Sequence, residues 1–140
     1  MAEATGCCES GQACVFAKAL LARSAACSQS RRVCLVEREL LECGSPVARL
    51  NCETLAALLH ERARFALRLP AAGRPLMHVH ALRLQCGGLA ALREWLGDDG
   101  RDVHAMVLDA QARCGSLTDL PWAQLVPALA AWQPRRRGRR

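Results

Sequence analysis

The chain has 140 residues, a net charge of +6 and nine cysteines, but no Ile, no Tyr and a single lysine, Lys18. This is the length of one domain, and its Ala, Leu, Arg and Glu favour helix while β-branched residues are scarce, so an all-α or nearly all-α fold is expected. Of the 19 basic residues, Arg135, Arg136, Arg137, Arg139 and Arg140 stand in the last six positions against 13 acidic residues in all, which excludes a generally basic body and makes the charge a property of the tail.

In chain order, residues 1–10 read as a flexible N-terminus with acidic residues and no basic n-region, unlike a signal peptide. Residues 11–133 read as one helical cysteine-rich domain, a compact bundle of about six helices. A first helix is expected over Gln12–Ala26, with Val15, Phe16, Ala19, Leu20 and Arg23 at helical spacing. Ser28-Gln-Ser-Arg reads as a turn. Val33, Val36, Leu40 and Cys43 then predict a second helix over Arg32–Cys43. Gly44-Ser-Pro46 breaks it, with Ser45 as an N-cap and Pro46 at the first helical position of a third helix reaching Leu67. Leu55, Leu58, Leu59 and Ala66 mark that helix's buried side, and Glu61, Arg62 and Arg64 its wet side.

Pro70 to Pro75 reads as a loop. Leu76–Cys86 alternates like a strand around Met77-His-Val-His, yet Leu76, His80 and Leu84 fit a helix. Helix is preferred because an isolated strand has nothing to pair with, and any strand is confined to residues 77–84. Gly87-Gly88 reads as a helix cap and turn. Further helices are expected over Leu89–Leu96, Val103–Arg113 and Leu120–Trp132. Residues 134–140 form a basic Arg-rich tail.

The cysteines carry the chemical argument. Cys14, Cys27, Cys34, Cys43 and Cys52 share one stretch, the last four at intervals of seven, nine and nine. Exposed thiols oxidise and bind stray metal, so a chain in a reducing compartment has reason to keep so many only if some are used. Four thiolates are the complement of a [2Fe–2S] or [4Fe–4S] cluster, or of a structural zinc site. The expected ligands are Cys27, Cys34, Cys43 and Cys52, with Cys86 in reserve. No C-x-x-C occurs, so the ferredoxin, zinc-ribbon and thioredoxin signatures are missing together. The irregular, long spacings place iron–sulfur ahead of zinc. Cys7 and Cys8 read as redox-active or idle, and Cys114 as a packing residue.

Other motifs fall short. His78 and His80 form H-x-H, whose side chains diverge on a helix. His60-Glu61 lacks the second histidine of a zincin, since Arg64 stands there. No G-x-S-x-G, G-x-x-x-x-G-K or G-x-G-x-x-G is present, so no enzyme class is indicated. Trp95, Trp122 and Trp132 are too widely spaced for a stacking platform and read as core anchors, while Trp132, next to the Arg tail, also suits a partner groove, an anionic membrane surface or a nucleic-acid backbone. The Arg- and Ala-rich, Lys-poor composition resembles a GC-rich bacterial genome. The expectation is a small bacterial cytoplasmic iron–sulfur protein acting in electron transfer or redox sensing. Arg135, Arg136, Arg137, Arg139 and Arg140 would dock an acidic redox partner. The competing reading is a metal-free helical adaptor that binds an acidic partner or nucleic acid through that tail, and a third is a structural zinc protein.

Overall fold

The computed structural model describes residues 13–35, 38–71, 73–97 and 102–134, the side chains at 34, 35, 38 and 39 excepted. The fold is mostly helical with one short two-stranded sheet. In chain order it runs α1 (Ala17–Leu21), β1 (Ser30–Leu35), β2 (Arg38–Cys43), α2 (Pro46–Leu67), α3 (His78–Leu82), a π-turn (Arg83–Gly87), α4 (Gly88–Leu96), α5 (Val103–Cys114), a 3-10 turn (Leu117–Asp119) and α6 (Trp122–Ala131). The expected flexible segment 1–10 and the tail arginines lie outside the described residues.

α2 forms where the sequence places it. Ser45 caps it by accepting from the Ala48 N–H at 3.1 Å, and Pro46 supplies a first position that needs no donor. Arg68, left-handed at φ 57°, closes its other end. Its buried side is Ala48, Leu55, Leu59 and Ala63, while Ala66 is exposed, contrary to expectation. α2 packs against α6 and α5, and these with the α3–α4 unit enclose one core around Phe16, Leu55, Leu89, Leu92, Met106 and Leu129. Among the described residues no helix is long and apolar enough to cross a membrane.

Three expectations are corrected. The helix over Arg32–Cys43 is instead an antiparallel hairpin in which Ser30 pairs with Cys43 and Leu35 with Arg38. Helix propensity loses here because strand pairing buries Leu41, Glu42 and Cys43 together and joins the hairpin to the chain before α1. Cys14 N donates to Leu41 O at 3.0 Å, beside a bridge between Ala13 and Glu42. That bridge also shortens the first helix to Ala17–Leu21. Its far end is closed by Arg23 at φ 62°, with Ser24 N donating to Ala19 O.

Gly87-Gly88 is the third correction, because the helix runs through it as α3, π-turn and α4 without a break. The glycines are contact points rather than a cap. A Cβ on Gly87 would stand 3.1 Å from Leu129 O, and one on Gly88 2.7 Å from Leu59 Cδ1. The strand allowed at residues 77–84 is helix.

Candidate metal centre

The two edges of the hairpin base and the start of α2 make the site. Cys43 ends β2 and is buried. Gly44 N donates to Gln29 O at 2.7 Å, which holds the hairpin base closed beside Cys27. Cys14 is tied to β2 by its backbone bond to Leu41 O. Cys52 sits in the second turn of α2, about two turns beyond the Ser45 cap. Cys27 is fixed from the other side. Ala26 forms a parallel bridge with Asp102, Val103 N donates to Ala26 O at 2.8 Å, and the Asp102 carboxylate accepts from Ser28 N at 2.9 Å and from His104 N at 3.2 Å.

Cys14, Cys27, Cys43 and Cys52 thereby line one small cavity with Val15, Phe16, Leu20, Ala48 and Val103, closed at its rim by Ser30, Arg49 and His104. All four are thiols, as are Cys86 and Cys114. The enclosed space is about 10 Å³, room for one water. Among the described residues no three Cys, His, Asp or Glu side chains stand at the spacing that holds a single metal ion. That spacing is about 3.8 Å between sulfurs in a tetrahedral zinc site, from metal–sulfur bonds of about 2.3 Å.

The electrostatics agree with a converging set. Burial pushes the Cys52 thiol from its ordinary value of 9.0 up to about 12, and the charges that Cys27, Cys14 and Cys43 would carry add to the rise. Cys14 is raised chiefly by burial as well, opposed by a backbone hydrogen bond from Phe16, with Cys27 and Cys43 adding to the rise. Arg49 lowers both. Its Nε donates to Ala13 O at 2.7 Å and its Nη1 pairs with Glu53, so its charge is held at the rim. Cys43 Sγ donates to Ser45 O at 3.2 Å.

Of the ligands expected from spacing, the structure brings Cys27, Cys43 and Cys52 together. The fourth thiol in the cavity is Cys14. Cys34 pairs with Glu39 near the hairpin tip, four residues along β1 from the Ser30–Cys43 pair, about 13 Å of strand; its side chain lies outside the description. The reserve ligand, Cys86, lines a different cavity. Cys114 packs against the core, as expected, and so do Trp95, Trp122 and Trp132. His78 Nδ1 meets Lys18 Nζ at 3.0 Å and His60 Nε2 meets Pro70 O at 3.1 Å, so neither faces the thiols.

Spacing along the chain misses Cys14 because its partner is set by sheet pairing. Cys14 did belong to the five-cysteine stretch, which was the available signal. No protein-family model, curated protein or solved structure matches this chain.

Proposed function

We propose that the chain binds an iron–sulfur cluster through Cys14, Cys27, Cys43 and Cys52 and acts in one-electron transfer or redox sensing. The observation that carries this reading is the convergence of four thiols, from four separate chain segments, on one apolar-walled cavity. Such convergence is costly without a use: the thiols add no hydrogen-bond network, and small apolar side chains would fill the same space. A cluster's iron and sulfide atoms hold its ligands further apart than one ion does, which fits the lack, among the described residues, of a group at single-ion spacing. Loading must part the side chains, because the enclosed space is about one water in size.

The surroundings fit a redox centre. Apolar walls limit solvent access, and Arg49 offsets part of the negative charge that four thiolates bring. Zinc is the second reading, favoured by the small enclosed volume, which an ion fills with less displacement than a cluster.

Anaerobic reconstitution of the full chain with ferrous iron and sulfide tests the proposal. Charge-transfer absorption in the visible region, with iron and acid-labile sulfide bound in stoichiometric amounts, is expected. Ser substitution at Cys14, Cys27, Cys43 or Cys52 should each lower cluster content, while Cys34→Ser, Cys86→Ser and Cys114→Ser should not. A colourless protein that takes up zinc alone supports the second reading. A protein that binds neither metal defeats both.

A further inference from the structure

We infer that the cavity between the end of α1, the face of α4 and the C-terminal end of α6 binds a small dianion, a phosphate ester or a dicarboxylate. It offers about 310 Å³ of accessible space, within the range of small-molecule sites, about 300–1,000 Å³. Arg23, Ser24, Cys86, Arg93, Trp132 and Gln133 form its functional wall. It shares no lining residue with the four-thiol cavity, so the inference stands apart from the metal reading.

Charge is the argument. Two guanidiniums border this cavity and no carboxylate lines it. Arg31, Arg49 and Arg113 each face an acidic side chain. Among the described residues Arg23 and Arg93 face none, and the hydrogen bond that Arg93 makes, to Ser24 O at 3.5 Å, is long. Guanidiniums with no acidic partner among the described residues, beside one concave surface, match the planar, two-oxygen edge of phosphate and carboxylate.

The neighbours complete the fit. The Arg23 backbone is fixed by the closure of α1, so the position from which its side chain departs is defined. Ser24 and Gln133 supply a hydroxyl and an amide, and the Trp132 ring gives an apolar wall for the rest of a ligand. Cys86 is buried and lines the cavity with Ser24. Burial holds its thiol above the ordinary range, so it stays neutral and does not oppose an anion.

The test is a titration of the isotope-labelled full chain with inorganic phosphate and with succinate, followed by NMR at constant ionic strength. Saturable shifts of the Trp132 indole N–H and the Ser24 amide are expected with at least one probe, and the tighter probe identifies the ligand class. Arg23→Gln combined with Arg93→Gln should weaken binding by at least about tenfold. Arg74→Gln, an exposed change elsewhere, should leave it unaltered. If the double variant does not fold, Arg23→Gln alone, at an exposed position, should still weaken binding severalfold. Shifts that do not saturate with either probe overturn the inference. So does unchanged affinity in the arginine variants, or a loss seen only when residues 135–140 are removed.

Discussion

Cys52 shows how a single side chain is made dependent on its neighbours. Partly buried beside three other thiols, it has its pKa pushed up to about 12, whereas in the unfolded chain the value stands near 9.0. Folded protein therefore binds more protons than unfolded protein across that interval, so the stability of the metal-free chain must fall as pH rises through it. Urea unfolding of metal-free protein at about pH 8 and about pH 10.5 should show a loss to which Cys52 contributes on the order of 1–2 kcal/mol, so that Cys52→Ala reduces it and leaves the share of Cys14 and Cys86. A pH dependence identical in the two proteins would mean that the Cys52 thiol is not held protonated by the fold. Metal loading must displace the same protons, so uptake should release acid and weaken as pH falls.

At the scale of elements, the helix ends and the two glycines carry the specificity. Ser45→Ala removes the acceptor for Ala48 N and should cost about 1 kcal/mol in unfolding free energy, with the site's cysteines untouched. Gly88→Ala gains helix propensity of about 1 kcal/mol but drives a methyl into Leu59, which the core encloses, at a cost of about 1–3 kcal/mol. Net destabilisation is expected. Adding Leu59→Ala should cost less in the Gly88→Ala background than in the parent, because the cavity it leaves receives the new methyl. Additive costs would place the strain elsewhere. α2, α5 and the Ser45 cap were legible because their signals are local: a capping serine, a proline and an apolar stripe. The hairpin was not. Leu40, Leu41, Glu42 and Cys43 read as helix by propensity, and only pairing with Ser30 and the contact with Ala13 and Cys14 select strand. The same non-local pairing explains why three of the expected thiols meet while the fourth place belongs to Cys14.

For the whole molecule, the proposal that the arginines after Pro134 dock an acidic partner can be tested apart from the near-neutral body. Residues 135–140 contribute five positive charges, and the sequence offers Pro134 and Gly138 against a continuing helix. Truncation after Pro134 should leave thermal stability and metal content nearly unchanged. It should weaken binding to an acidic protein partner and flatten the salt dependence of that binding. Loss of several degrees in Tm on truncation would show that the tail supports the body. Equal affinity at all salt concentrations would remove the docking role.

Asp102 gives the thiol site a reach beyond its own walls. One carboxylate caps α5 through His104 N and holds Ser28 N beside Cys27, while Val103 N closes the same junction onto Ala26 O. These amides come from two distant parts of the chain, Ser28 on one side and Val103 and His104 on the other, and meet at one shared junction. Hydrogen exchange at Ser28, Val103 and His104 should therefore proceed at a common opening free energy, below that of the α6 interior. A centre bound at Cys27 should slow all three together, making the first turn of α5, which walls the thiol cavity, a backbone reporter of its occupancy.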